Sequence, residues 1–373
     1  MSELVLGTST VLQEVRARAW LLGWWAGGRL LVFGTAVVLH VFGPRGVIGH
    51  DEKTHLLGAL GAWDGRWYRT VAANGYLLEP GRQSDPAFFP LYPMSLRALH
   101  ATGIGYVTSG IILSNAMLLA ALVAFELFTR ELFGARFARR ATVYAAIFPM
   151  GFVFSMEYPE SLVLFAIALA ALAALRRRWL SVAVITALAT LARPEVLFSS
   201  LALLPLALQE RSSPARGFAL GAILAPFAAL ASFAVYLQLT LHDAFAWTHA
   251  ERAWGRKFTP LGLYRAIEHL PSAFDGNAWV VRDVAFFSLY LALLWIGWRA
   301  GVPRAWIAAA VPIVVLPTFS GSFHSVGRFG LLAPALFWGL AAAGERLRVD
   351  RGIRILSAAL LVGGTVSLAY VFP

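Results

Sequence analysis

The chain has 373 residues, of which 59% are hydrophobic and 14% charged; soluble domains carry roughly 25% charged residues, and the apolar residues here come in runs too long for core helices, which excludes an ordinary soluble globular protein. The formal charge is +11, from 31 Lys+Arg against 20 Asp+Glu, a surplus that suits nucleic acid, acidic lipid or membrane topology according to where it sits. With zero cysteines, disulfides, a Cys-ligated metal and a thiol nucleophile are excluded.

A bilayer is crossed by about 20 predominantly apolar residues, and about eleven runs meet that measure: 20–43, 106–128, 139–156, 159–175, 179–193, 195–209, 217–240, 283–299, 303–319, 328–343 and 353–372. The expectation is an all-α polytopic membrane protein, one integral membrane domain over 1–373. The first run is long, and residues of mixed polarity precede it with no small-residue cleavage site after it, so it reads as a retained span. Short turns rich in arginine, such as Arg136, Arg139 and Arg140 or Arg176, Arg177 and Arg178, are cytoplasmic by the positive-inside rule. The N-terminus is then inside and the C-terminus outside, as in a multi-pass protein of the cell membrane. Sorted this way, the inner side holds the whole excess and the outer side is balanced, so the charge is a topology signal. The basic residues are split among turns and form no nucleic-acid patch.

Two long outer loops follow, 44–105 and 241–282. In the first, His50, Asp51, Glu52 and His55 are ligand types whose spacing matches no metal motif, and a solvated loop start explains them better. Leu56, Leu57, Leu60, Trp63, Trp67 and Val71 recur at helical spacing and predict a short interfacial helix. Asp64 sits at the edge of that stripe beside Trp63, with Tyr68 one turn on, placed to meet something arriving from the lipid; taken alone, aromatic anchors and a solvated Asp explain the pair better. Asn74-Gly75 stops the helix. Asp85 to Pro93 follows, with three prolines against a helix and Phe88, Phe89 and Tyr92 against a solvated linker. It reads as a rigid apolar turn, or as the lining of a groove for a lipid tail or sugar.

Asp64, Glu157, Glu160, Arg193, Glu195, His324 and Arg328 all fall at outer span ends or in outer loops. Ionisable groups near hydrocarbon are costly unless paired or functional, and their convergence on one face is the main site signal, with structural ion pairs as the alternative for each. In the second loop Trp247, His249, Trp254, Arg256 and Lys257 mix aromatic and basic groups. That mixture suits a cover over an acceptor and equally an interfacial amphipathic segment. The HExxH, Walker, GxGxxG and GxSxG patterns are absent.

Trp63-Asp64-Gly65-Arg66-Trp67-Tyr68, Ala72-Ala73-Asn74-Gly75-Tyr76, Ala87-Phe88-Phe89-Pro90-Leu91-Tyr92-Pro93 and Phe154-Ser155-Met156-Glu157-Tyr158-Pro159-Glu160-Ser161-Leu162 together resemble the PIG-V family, GPI mannosyltransferase 2-like enzymes of the GT-C superfamily. Gly327-Arg328-Phe329 resembles the family's late basic-aromatic pair. The resemblance implies a GT-C-like bundle, a polyprenyl-phosphate mannose donor and an extracytoplasmic site whose Trp-Asp pair maps to Trp63 and Asp64. Two departures stand out. Arg193-Pro194-Glu195-Val196 replaces Arg-Ser-Asn-Gly of eukaryotic members, and Pro159 stands where Ser is usual. The acceptor is thus an open lipid or glycan rather than a GPI precursor.

Transfer from a sugar phosphate needs a base for the acceptor hydroxyl, while the phosphate leaves unprotonated. By analogy with GT-C enzymes that base is Asp64, and direct attack inverts the anomeric centre. The leaving phosphate needs fixed positive charge: Arg328 with His324 first, Arg193 second, with Arg193 pairing to Glu195 or Glu160 as its structural alternative. Glu157 and Glu160 are candidates for sugar hydroxyls or helix-end caps. No cofactor is required, and divalent-metal use stays open. A GT-C enzyme for another lipid-linked sugar and a secondary transporter are the competing readings.

Overall fold

A computed structural model of the chain describes residues 18–43, 55–273 and 278–368; the His50-Asp51-Glu52 cluster lies outside them. Those residues form helices and short 3-10 turns, with no strand among them. Four helices are long and apolar enough to cross a membrane: Ala19–Phe42, Tyr106–Phe133, Ser213–Leu241 and Val280–Arg299. Two bent pairs raise the number to six if each is one span, Pro149–Ser155 with Glu160–Leu175 at 99° and Val326–Leu332 with Pro334–Ala343 at 91°. Leu30, Val41, Leu224, Phe227, Leu239 and Trp295 stay exposed on the long helices, as lipid-facing side chains would.

The expected eleven runs therefore correspond to only four to six helices of that kind. Trp179–Thr190, Val196–Leu208 and Arg304–Ser320 are apolar but shorter. The run at 139–156 divides into the arginine-bearing helix Ala135–Ala146 and the 3-10 segment Pro149–Ser155. The last run belongs to Leu347–Ser367, whose first turns carry Arg348, Asp350, Arg351 and Arg354. Proline supplies the breaks: Pro149, Pro159, Pro194 and Pro334 each stand where one helical segment gives way to another, because the ring disfavours helix in the residue before it and removes a donor. Mean apolarity reads straight through such breaks.

Tyr106–Phe133 is central, packed against Glu160–Leu175 and Ala135–Ala146. Ala166, Ala168, Ala170, Ala171, Ala173 and Ala174 of the Glu160–Leu175 helix are buried, small side chains that let membrane helices approach closely. One close helix crossing joins Pro334–Ala343 to Ala278–Arg299, where a Cβ on Gly339 would stand 2.1 Å from the Leu293 carbonyl oxygen. Gly339→Ala is thus expected to destabilise by about 1–3 kcal/mol, as overpacking does. Gly352→Ala, with nothing within 4 Å of the added carbon, is expected to leave the melting temperature in detergent unchanged or raised, and the comparison of the two separates packing from helix propensity.

Arg29 and Glu126, each inside a long helix, have separate partners. Arg29 donates to Ser155 Oγ (2.5 Å) and to the carbonyls of Gly151 and Ala146 (3.2 Å each). Glu126 pairs with Arg18 at 3.2 Å and with Arg130.

The first outer loop differs from its expected form in two respects. The stripe from Leu56 to Val71 is not one helix: a 3-10 turn at Gly58–Gly61 is followed by a break at Trp63, and the α-helix runs Asp64–Asn74. It ends where expected, at Gly75 with φ +81°. The proline-rich stretch does admit a helix, since Leu91–His100 begins inside it; Pro93 falls in the first turn, where its missing N–H has no intrahelical acceptor.

Asp85 anchors this loop by accepting the Leu77 N–H at 2.7 Å. Burial pushes its carboxyl up to about 6. The native state then binds a proton that the unfolded chain has released, so the stability of the loop falls as pH rises from about 4 to about 6. Hydrogen exchange of the Leu77 amide, corrected for its intrinsic rate, should show protection declining across that window. Asp85→Asn should remove the pH dependence and keep the hydrogen bond.

Candidate active site

Asp64 and Arg328 are presented by the same local device. Trp63 (φ +61°) and Ser325 (φ +64°) both hold positive φ, a conformation that costs a non-glycine residue about 1–3 kcal/mol, and each is followed at once by a helix, Asp64–Asn74 in one case and Val326–Phe329 in the other. The Asp64 carboxylate thus sits in the first turn of its helix, where the macrodipole favours negative charge. Its backbone N–H donates to Tyr158 Oη at 3.1 Å. Tyr158 lies in the bend between Pro149–Ser155 and Glu160–Leu175, so the motif around 154–162 is the break itself.

From these elements an alternating chain of charge assembles. Arg328 Nη1 lies 2.5 Å from Asp64 Oδ2, across 264 residues of sequence. Arg328 Nε is 3.6 Å from Glu160 Oε1, and the same oxygen accepts from Arg193 Nη1 at 2.8 Å. Arg193 then forks onto Glu195, Nη2 to Oε1 at 2.8 Å and Nε to Oε2 at 3.2 Å. The Phe329 ring lies under both guanidiniums, 4.8 Å from Arg193 and 5.6 Å from Arg328. All five charged side chains are buried or largely so: Glu160 is fully shielded, Arg328 2% exposed and Asp64 7%.

Asp64, Arg328, Arg193 and Glu195 form one side of a cavity of about 460 Å3. Tyr68, Phe88, Phe89, Trp247 and Trp254 add aromatic wall, and Arg252, Arg256, Lys257 and His324 add nitrogen. Trp254 stands edge-on to Trp67 at 5.2 Å, and Trp247 to Phe89 at 5.8 Å, so the second loop closes on the first through its rings. His249, by contrast, pairs with Asp243 at 2.6 Å and does not line the cavity.

Of the sequence candidates, Asp64, Tyr68, Phe89, Arg193, His324 and Arg328 come together on this cavity, with Glu160 behind them. Three do not reach it. Glu157 is buried in an ion pair with Arg69, the Trp63 indole donates to the Leu368 carbonyl at 3.4 Å, and Tyr92 is buried with its hydroxyl 2.8 Å from Ser114 Oγ. His324 differs from expectation in charge: burial, with Arg256 and Arg282 nearby, holds its ring down to about 4, so at neutral pH it offers a hydrogen bond and no positive charge. Burial also raises the Tyr68 hydroxyl, which stays protonated.

Arg69, Asp283 and Phe329 carry the site's frame and had no role assigned from sequence. Asp283 is buried and its Oδ2 accepts the Ser325 N–H at 3.0 Å, which secures the turn before Arg328. Its signal was a carboxylate at the edge of an apolar run. Arg69 gave none, since one more arginine in a polar loop helix is ordinary. Among the described residues no three His, Asp or Glu side chains converge as a metal site would require.

No family model matches the chain, and no curated protein matches it. Among solved structures it is similar to crystal structures of the Archaeoglobus fulgidus oligosaccharyltransferase. One, a complex with Zn and sulfate, has a TM-score of 0.47 and 14% identity, covering 91% of this chain and 52% of that one. Another, tethered with an acceptor peptide containing the NVT sequon via a disulfide bond, has a TM-score of 0.44 and 12% identity, covering 94% and 55%. The chain spans about half the length of those proteins, and a likeness at this level does not extend to an activity. The PIG-V resemblance accordingly rests on the motifs quoted above, and the site on its own geometry.

Proposed function

We propose that the protein is a GT-C-type membrane glycosyltransferase that moves mannose from a polyprenyl-phosphate-linked donor to a lipid or glycan hydroxyl on the extracytoplasmic side of the cell membrane, with inversion. The observation that carries this reading is the meeting of Asp64, from the Trp-Asp motif, with Arg328, from the late Arg-Phe pair, at 2.5 Å on an aromatic cavity. Asp64 takes the proton of the acceptor hydroxyl as that oxygen attacks the anomeric carbon. The C–O bond to phosphate breaks on the opposite face, and the phosphate leaves as an anion. While it waits, Asp64 is occupied by Arg328; the arriving phosphate competes for that guanidinium, and the carboxylate is released to act as base. His324 contributes a neutral hydrogen bond. Arg252, Arg256 and Lys257 supply the positive charge that Arg328, already shared between two carboxylates, supplies only in part.

The outward orientation is supported by chain positions 64, 160, 193, 195 and 328, all assigned outside by the Arg-rich turns and all within one charge chain. A reporter fused after Arg178 should read cytoplasmic. For the activity, purified protein is incubated with labelled polyprenyl phosphate mannose, glucose or arabinose and a membrane lipid extract, with and without EDTA. Label from mannose alone should enter a new glycolipid or glycan; preferential use of glucose or arabinose would overturn the mannose assignment.

A secondary transporter is the second reading, favoured by one observation: Glu160 and Arg328 lie in two sharply bent helix pairs, the kind of discontinuity transporters use to hold substrates. Proteoliposomes that accumulate a labelled solute and transfer no sugar would establish it.

A further inference from the structure

A second cavity, of about 400 Å3, shares no lining residue with the first. It is a furrow between two helices whose facing stripes have the same spacing: Arg282, Ala285, Phe286 and Leu289 on one, Leu360, Gly363, Gly364 and Ser367 on the other. Those positions, i, i+3, i+4 and i+7, fall on one helix face each. Pro149 and Met150 form its floor. Leu289 and Leu360 are exposed along its sides, so it opens laterally toward the lipid. A Cβ on Gly363 would meet nothing within 4 Å, so the furrow is empty of side chains at that point.

The lining is hydrocarbon apart from the Ser367 hydroxyl, which bonds the Gly364 carbonyl, and one charged group, Arg282, at the end where the second outer loop enters the helix. We propose that this furrow is a binding site for a membrane phospholipid with an anionic headgroup, one acyl chain lying between the two stripes and the phosphate meeting Arg282. Arg282 already bonds Asp283, Nε to Oδ1 at 3.2 Å, but a guanidinium has five N–H donors in a fork that suits phosphate and serves more than one acceptor. An extended protein segment is a poorer occupant, since its backbone groups would find no partners among these side chains. The sugar donor is a poorer one too: a lipid whose head reached Asp64 would have to cross the 321–325 turn, pinned to this helix by Asp283 and Ser325. The site reports on that turn, because Asp283 links the Arg282 end of the furrow to Ser325, whose Oγ accepts from Arg256 of the first cavity at 3.2 Å.

The test measures binding of phosphatidylglycerol and phosphatidylcholine of identical chains to the full-length purified protein, by displacement of a fluorescent phosphatidylglycerol. Wild type should bind phosphatidylglycerol about tenfold more tightly, because the choline cation of phosphatidylcholine offsets the attraction of its phosphate to Arg282. Arg282→Gln should abolish that preference and leave the chain's contribution, whereas Gly363→Phe, directed into open space, should abolish binding of both lipids in a protein of unchanged melting temperature. Equal affinity for the two lipids in wild type, or undiminished binding in Gly363→Phe, overturns the proposal. Displacement of phosphatidylglycerol by polyprenyl phosphate with higher affinity would also overturn it, by assigning the furrow to the donor. None of these outcomes depends on sugar transfer, so this inference and the glycosyltransferase reading stand or fall separately.

Discussion

Asp64→Asn is expected to lower transfer about 10²–10⁴-fold, the usual worth of a positioned general base, with donor binding retained. The amide keeps the volume, the place at the helix start and a hydrogen-bond acceptor for Arg328, and loses the negative charge and with it the capacity to take a proton. Asp64 has a second duty in this structure, as half of a buried ion pair with Arg328. Part of any loss therefore reflects a guanidinium that has lost its contact with a carboxylate at Asp64 and keeps the one with Glu160. The two duties separate in the kinetics: loss of the base lowers kcat, whereas a displaced Arg328 raises KM for the donor. Asp64→Glu, with the same charge on a longer arm, is expected to fold normally and to recover little activity, because proton transfer demands hydrogen-bond reach of the attacking oxygen.

Arg328→Met is expected to cost about 3–5 kcal/mol of stability in addition to activity, since removing one partner of a buried pair leaves the other charge uncompensated. Asp64 loses its ion pair with Arg328, and Glu160 keeps Arg193. The double variant Asp64→Asn/Arg328→Met should regain part of the lost melting temperature, a non-additivity expected of residues in direct contact. Arg328→Lys keeps a charge but not the planar fork that spans Asp64 and Glu160; it should melt between wild type and Arg328→Met and show a raised donor KM. Additive losses in the double variant would mean that the pair contributes little to the fold.

The charged residues of the site were legible in sequence because the membrane makes them so. A carboxylate or guanidinium next to hydrocarbon is expensive, and that single argument picked out Asp64, Glu160, Arg193, Glu195 and Arg328 before any of them was seen to touch another. Their partners were legible only in part: Arg193 pairs with Glu195 and Glu160, the two carboxylates the sequence offered it, whereas the contact of Arg328 with Asp64 was not foreseen. Nothing in the sequence sets Glu160 between two arginines, and the pairing of Arg69 with Glu157 joins residues 88 apart whose types are ordinary for their places. The helix count failed for a physical reason of its own: hydropathy measures transfer to lipid, and it does not register that Pro149, Pro159 or Pro334 bends the backbone. Those breaks are also what carry Glu160 and Arg328 to the candidate site, so the feature that spoiled the count assembled the charge chain. The Trp63 break belongs to the same class. Helical periodicity runs through it without a fault, because a side-chain stripe does not encode a positive φ.

At the centre of the proposed mechanism a lone carboxylate, Asp64, drives a single displacement at the anomeric carbon. The stereochemistry of the product tests it most directly. Protein in proteoliposomes is given labelled β-linked polyprenyl phosphate mannose and the lipid extract, and the isolated product is digested with linkage-specific mannosidases. The account predicts that α-mannosidase releases the label; release by β-mannosidase alone would mean retention, a double displacement through a covalent sugar, and would contradict it.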